Sequence, residues 1–300
     1  MPEENRKENY IKKLVNDYSI ETTPNVYQKF GSLKEMLPNK NDIYVTYLPD
    51  ENPKRIIETS KQIVDEGLTP IPHLPARTIK DISSLENYIG SLSEKAGCKK
   101  ILIIGGGGKQ LGNISSSLDV LKTDLLSKYN FKFVGVAGHP DGNSDIKQND
   151  LDYAIIEKNK FAKNSDFKMY IATQFFFESK SFENWEKHLN SIGNELDIHA
   201  GIPGPATLKT LILYAKSCGI ANSIKFLSKQ ALNITKLTST REPDKLILDL
   251  CEYKFNSDQT KLKKLHLYAF GGMKKTSSWM NDVIEKPLEI IHNKGFKIVD

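Results

Sequence analysis

Between Ile171 and Glu178 the chain reads Ile-Ala-Thr-Gln-Phe-Phe-Phe-Glu. Gln174 falls where an apolar run ends, and a carboxamide there needs partners for two donors and one acceptor, which a heterocyclic ligand supplies. Phe175, Phe176 and Phe177 then either wall a site or fill a core. Other apolar runs end in polar side chains too: Glu21, Thr46 with Tyr47, His73, His139 through Asn143, and His266 with Tyr268. Glu21, ending a buried run, is placed to move a proton. His73 and His139 read equally as ligand contacts and as satisfied loop histidines, while His199 and His266 read as pointing between strand and helix. Four glycines, Gly105 to Gly108, give a backbone that can approach a phosphate or a flat ring. They form no P-loop, because Lys109 is followed by Gln110 and Ile103 stands where the first glycine belongs. Gly-x-Gly-x-x-Gly fails as well, at Gln110 or Leu111. No His-x-His pair opens a metal site, so no metal is expected.

These residues need elements to hold them. Strand-like runs fall at Tyr18 to Thr22, Asp42 to Tyr47, Thr69 to His73, Lys100 to Ile104, Phe131 to Ala137, Met169 to Thr173, Asp197 to Ala200 and Leu265 to Tyr268. Helical spacing fills the gaps, as at Pro53 to Glu66, Ile114 to Tyr129, Phe182 to Ile192 and about three helices from Pro205 to Tyr253. Eight alternating units without a linker or a composition break predict an α/β fold, a single (β/α)8 TIM barrel over residues 1–300. A doubly wound sheet is the alternative. Tyr10, Ile11, Leu14, Val15 and Tyr18 predict an extra N-terminal helix, within residues 1–17, that closes the bottom of the barrel. Ser278 to His292 reads as the eighth helix, with Gly295 as its stop. Barrel chemistry sits at the C-terminal strand ends, where the polar residues above fall.

Composition narrows the function classes. The chain is 39% hydrophobic and 26% charged, which suits a globular core and excludes disorder. Its net charge of +5 comes from lysines scattered among acids, so a nucleic-acid partner is not expected and a small anionic ligand accounts for it as well. The cysteines, Cys98, Cys218 and Cys251, are odd in number and far apart, so reduced thiols are expected. A charged N-terminus and the lack of a long apolar segment predict a cytoplasmic protein with no membrane partner.

Taken together, the strand ends resemble the methylenetetrahydrofolate reductase family of flavoprotein barrels. Ser19-Ile20-Glu21 is similar to the family's first-strand segment, Val45-Thr46-Tyr47 and Pro72-His73-Leu74 to its flavin-contacting ends, and Ala137 to Gly142 to its Pro-acid-Gly turn. Ala172 to Glu178 resembles its most recognisable signature, and Gly201-Ile202-Pro203 the turn after strand seven. The likeness runs collinearly from Ser19 to about Tyr268. The chain departs from the family at strand four, where Gly105 to Gly108 replace Arg-Gly-Asp, and at His139, Asn143 and Ala269 to Met273.

The resemblance implies hydride transfer from NAD(P)H through FAD to 5,10-methylenetetrahydrofolate. Glu21 would be the acid that protonates the departing nitrogen, which near neutral pH calls for a carboxyl pKa raised by burial toward about 6 to 7. Gln174, Phe176 and Tyr268 would hold the pterin. Thr46, Tyr47, His73, Gly105, Gly106, Gly107, His139 and Asn143 would line the FAD slot, and Asn159 and Lys163 would reach its ribityl or diphosphate. Asp50 or Glu51 would stand in for the missing strand-four Asp. Rival readings are a flavin-independent NAD(P)H-linked reductase, a folate-dependent methyltransferase and a catalytically silent folate-binding subunit. The sequence leaves room for a homo-oligomer.

Overall fold

The computed structural model describes residues 3–37, 41–107, 109–230 and 237–299. Gly108, the last of the glycine run, lies outside them. Eight strands, β1 (Ser19–Thr22), β2 (Asp42–Val45), β3 (Thr69–Pro75), β4 (Lys100–Ile104), β5 (Phe133–Gly138), β6 (Lys168–Thr173), β7 (Asp197–Pro203) and β8 (Leu262–Tyr268), close into one barrel. Every neighbouring pair is parallel, and β1 meets β8 to close the ring. The expected (β/α)8 barrel is therefore the observed fold, and the doubly wound alternative is excluded.

The helices are α1 (Glu3–Val15), α2 (Pro24–Phe30), α3 (Pro53–Asp65), α4 (Ile82–Gly90), α5 (Ser117–Leu121), α6 (Leu125–Lys128), α7 (Gln148–Lys163), α8 (Ser179–Ser191), α9 (Leu208–Ser217), α10 (Ala221–Gln230), α11 (Asp244–Asn256) and α12 (Met273–Glu285). Their starts follow local chemistry. Thr23 caps α2 and Asn52 caps α3, each ahead of a proline at the first helical position, where no intrahelical N–H is needed. The single helix expected over Ile114 to Tyr129 is divided in two, because Asp124 turns left-handed at φ 55° between α5 and α6.

The C-terminus differs from expectation more sharply. The last helix ends at Glu285 rather than running to His292. Pro287 cannot donate to a continuing helix, and the β-branched Ile290 and Ile291 join a hairpin, Leu288–Ile291 against Gly295–Ile298. The helix expected under the barrel, α1, packs against α11, α12 and this hairpin. Tyr10 stacks on Phe255 at 3.7 Å between ring centroids, and Ile11 and Val15 are fully buried.

Period-two alternation sorts the strand side chains into two cores. Ile43, Val45, Ile101, Ile103, Val134, Val136, Ile171 and Ile198 face the helices in the main core. Inside the barrel, Tyr44, Ile71, Leu102, Tyr170 and Ala172 form a separate cluster. Below it the buried Asp42 carboxylate binds Lys100 Nζ at 2.7 Å and Lys264 Nζ at 2.8 Å, so charged side chains fill the lower end of the barrel.

Candidate active site

The inward face of β1 carries Ser19 and Glu21, and that of β8 carries Lys264, His266 and Tyr268. These two strands are neighbours with Ser19 opposite His266, so the three polar groups nearest the mouth form a chain. Ser19 Oγ lies 3.4 Å from the Leu265 carbonyl, to which it donates, and 3.0 Å from His266 Nδ1. Ser19 occupies Nδ1 in either tautomer. Nε2 is then left to exchange a proton with Glu21 Oε1, 3.3 Å away. His73 Nε2 approaches the same carboxylate oxygen to 3.8 Å.

This corrects two expectations. His266 and His199 do not point between strand and helix; His199 stacks on Tyr170 at 4.2 Å inside the barrel, and His266 sits 1% exposed against the Tyr44 ring. Nor is the Glu21 pKa raised. Burial pushes it up, but the His266 hydrogen bond and the attraction of His266 and His73 together hold it below the ordinary carboxylate value. Burial lowers His73 to about 4, so its ring is neutral at pH 7.

Two strands round the mouth from β8, Gln174 follows β6, half-buried, with its Nε2 3.4 Å from the Cys218 carbonyl at the end of α9. Tyr268 donates its hydroxyl to the Thr173 carbonyl at 2.9 Å, which leaves its ring face for packing. Phe175 meets that ring at 5.2 Å and Phe270 at 4.7 Å, both edge-on. Gly201 lets this happen, since a Cβ there would lie 2.7 Å from the Tyr268 ring and 2.3 Å from the Thr173 carbonyl oxygen. The α9–α10 segment leans on the same wall, with Ser223 Oγ donating to Asp141 in the loop after β5.

Phe176 is not part of this wall. It is fully buried, stacked on Phe182 of α8 at 5.4 Å within the main core, so Phe175 is the aromatic beside Tyr268.

The remaining candidate positions divide by which way they face. Thr46 Oγ1 and His73 Nε2 are buried and accept or donate no hydrogen bond among the described residues, and Thr46 stands near the Glu21 carboxylate. Gly105, Gly106 and Gly107 follow β4 on the rim. Tyr47 is turned away, as alternation after Thr46 requires, and its ring meets Tyr88 of α4 edge-on at 6.1 Å. His139 lines a cavity of about 370 Å³ with Gln148 of α7 and Asn184, Trp185 and His188 of α8, outside the barrel mouth. Burial and the nearby Lys158 lower its pKa to about 4. Asn143 Oδ1 accepts from Asp145 N at 2.8 Å and serves its own loop.

Asn159 and Lys163 lie at the wrong end of α7. That helix runs down from the top of β5, so its last turn meets the segment entering β7 from below. Buried Asn159 donates to Asn194 Oδ1 at 3.0 Å and accepts from Glu195 N at 2.8 Å, while Lys163 pairs with Glu195 at 3.2 Å. Both are structural. Glu51 is likewise engaged by Arg55 at 3.1 Å, so it does not replace the missing strand-four acid, and Asp50 is exposed in a left-handed turn.

No group of three or more acidic, histidine or cysteine side chains among the described residues is arranged to hold a metal ion. None of the described helices is long and apolar enough to cross a membrane.

Comparison with known proteins gives a family. The family described as methylenetetrahydrofolate reductase matches residues 19–281. A curated relative, "Methylenetetrahydrofolate reductase 2" of Saccharomyces cerevisiae, is 26% identical over 209 residues, covering 65% of this chain and 32% of its own length. The chain thus spans about a third of that relative. Among solved structures, a xylose isomerase domain containing protein from Salmonella typhimurium LT2 aligns with a TM-score of 0.47 at 8% identity, covering 90% of this chain and 97% of its own. Dihydropteroate synthase from Thermus thermophilus aligns with a TM-score of 0.42 at 11% identity, covering 88% of this chain and 90% of its own.

Proposed function

The chain belongs to the methylenetetrahydrofolate reductase family, and from that premise we propose that it interconverts 5,10-methylenetetrahydrofolate and 5-methyltetrahydrofolate with reducing equivalents from NAD(P)H, carried by FAD. The observation that carries this reading is the Ser19–His266–Glu21 chain at the barrel mouth, facing Gln174 and the Tyr268 ring.

Opening the methylene bridge requires a proton on the departing nitrogen. Glu21 and His266 hold one between them, as carboxylate with imidazolium or as carboxylic acid with imidazole. Water at an open mouth favours the Glu21 carboxylate, in keeping with its lowered pKa. A pterin that fills the mouth removes that water and shifts the pair toward its neutral form, leaving the proton on Glu21 Oε1 ready for transfer. Glu21 is left as the carboxylate and takes its next proton from solvent once the product leaves the mouth, while Ser19 keeps the His266 ring in one orientation. Gln174 binds the amide edge of the pterin, and Phe175, Tyr268 and Phe270 exclude water from the departing nitrogen.

FAD fits this mouth on polarity. Arg77 Nε is a buried polar atom on the β3 side without a hydrogen-bond partner among the described residues, and the buried Thr46 Oγ1 and His73 Nε2 have only the Glu21 carboxylate nearby, too distant for a full hydrogen bond. Such orphans are destabilising unless a ligand satisfies them. When bound there, FAD would supply the hydride, and neutral His73 and Thr46 would hold it without adding charge.

Replacing Glu21 with Gln tests the proposal. Folate turnover is expected to vanish while NAD(P)H oxidation with an artificial electron acceptor stays largely intact. Folate reduction surviving within a factor of a few refutes the acid assignment. The visible spectrum of the purified protein tests the carrier: a flavin band bleached by NAD(P)H supports FAD. A colourless protein that still couples NAD(P)H to the folate selects direct hydride transfer.

A further inference from the structure

We propose that Arg77 and the glycine segment after β4 form an anion site for the diphosphate of a dinucleotide cofactor. The inference deepens the reading above and rests on it for the identity of the ligand, since Arg77 is absent from the strand-end pattern.

Arg77 lies just past β3 in the short turn Ala76–Thr78, and its backbone is tied to the glycine segment on both sides. Its N–H donates to the Gly105 carbonyl at 2.9 Å, and its carbonyl accepts from Leu111 N at 2.9 Å. The residue is only partly exposed, its Nε is buried, and neither Nε nor the rest of the guanidinium has a hydrogen-bond or ion-pair partner among the described residues. A guanidinium carries five donors and a permanent charge, so one with a buried Nε and no carboxylate partner is poised for an external anion. The acids of the flanking loops do not supply one. Asp81 accepts from Ser84 N at the start of α4, and Asp119 accepts from Ser115 and Ser116 at the start of α5.

The glycines complete the site. Gly106 is left-handed at φ 85°, and a Cβ there would lie 2.8 Å from Pro75 Cβ, so the loop passes tight beneath. Gly105 and Gly107 have open space where a side chain would stand, a gap that a ligand can enter. The N–H groups of Gly106 and Gly107 make no hydrogen bond among the described residues. A partly buried cation beside free backbone amides is the arrangement that recognises phosphate oxygens.

Neighbouring strands order the rest of the ligand. Thr46 just after β2, His73 on β3, Arg77 after β3 and the glycines after β4 form one arc, because β2, β3 and β4 are adjacent. The arc carries a hydroxyl and an imidazole beside the Glu21 carboxylate at one end and a guanidinium at the other. A molecule with a polar heterocycle joined to a diphosphate matches it, and both FAD and NAD(P)H have that chemistry.

Titration calorimetry of the full chain with inorganic pyrophosphate, FAD, NADH, NADPH and riboflavin tests the assignment in wild type, Arg77→Gln and Arg77→Lys. Arg77→Gln is expected to weaken pyrophosphate and at least one dinucleotide by tenfold or more, with riboflavin affinity, where measurable, unchanged. Arg77→Lys, which keeps the charge but not the fork, is expected to fall between. The dinucleotide that loses affinity identifies the source of the diphosphate. Pyrophosphate that fails to bind wild type, or binds Arg77→Gln or Arg77→Lys as tightly as wild type, overturns the proposal. If Arg77→Gln does not fold, the pyrophosphate affinities of wild type and Arg77→Lys decide alone. A chain that turns over no folate but binds pyrophosphate through Arg77 refutes the proposed reaction and leaves this site standing.

Discussion

His266 sets what Glu21 can do, because its ring is the hydrogen-bond partner of that carboxylate, at 3.3 Å. Removing it with His266→Leu leaves Glu21 buried without its main stabilising partner, and folate turnover is expected to fall by roughly 10²- to 10³-fold, as for loss of a positioned proton donor. Ser19→Ala keeps the imidazole but frees its orientation, so a smaller loss, about tenfold, is expected in kcat with KM for folate little changed. Steady-state kinetics of both variants check this, and a His266→Leu enzyme within a few-fold of wild type removes the relay. The two phenylalanines part company at the same scale. Phe175→Ala is expected to raise KM for folate, whereas Phe176→Ala, emptying a fully buried space against Phe182, is expected to destabilise by about 3 to 5 kcal/mol without moving KM. Urea unfolding beside kinetics separates them.

At the scale of elements, the strands were legible because β-branched runs end in turn signals, and the parity of each run already held the facing of its residues. Thr46 and Tyr47 are consecutive on one extended stretch and cannot both face the mouth; the buried, inward Tyr44 selects Thr46. The same parity, carried from outward Leu265 and Leu267, turns His266 inward. Topology alone also places the end of α7 at the lower rim, away from the cofactor. Asn159→Ala is therefore expected to leave dinucleotide affinity unchanged. It removes hydrogen bonds to Asn194 and Glu195 that brace the entry to β7, with an expected loss of roughly 1 to 3 kcal/mol. Flavin or nucleotide titration beside thermal melting distinguishes the two roles, and a clear drop in affinity at unchanged stability returns Asn159 to the site. Arg77 and the C-terminal hairpin were not legible. Arg77 is defined by partners it lacks, which only packing reveals, and the hairpin depends on Phe296 folding back onto Trp279 of α12, a contact with no local sequence signal.

For the whole molecule, the unusual feature is a barrel whose interior holds an ion-paired cluster below, ring packing in the middle and a carboxylate between two histidines at the top. Its pH response follows from histidines kept neutral by burial. His73 and His139 are lowered to about 4 and His199 to about 3, in each case chiefly by desolvation, against an ordinary value of 6.5. Between those values the unfolded chain binds protons that the native state refuses, so stability is fully present above about pH 6.5 and declines as pH falls toward 4. Glu21 and Asp42 act in the same direction but at lower pH. Their lowered values add stability that is present above the ordinary carboxylate range and lost only at still lower pH, so they do not mask the histidines between pH 7 and 5. At pH 5 a fully buried histidine such as His73 contributes a loss of about 2 kcal/mol relative to pH 7. The other two add to it in the same direction. The urea midpoint is therefore expected to drop by roughly 1 to 2 M between pH 7 and pH 5, given a denaturant slope of about 3 kcal/mol/M. His199→Gln, which keeps a polar side chain against Tyr44 and Tyr170 but cannot be protonated, is expected to flatten that slope measurably. A midpoint that stays level from pH 7 to 5 in wild type means that the buried imidazoles accept protons in place, and that the barrel interior is far better hydrated than its packing implies.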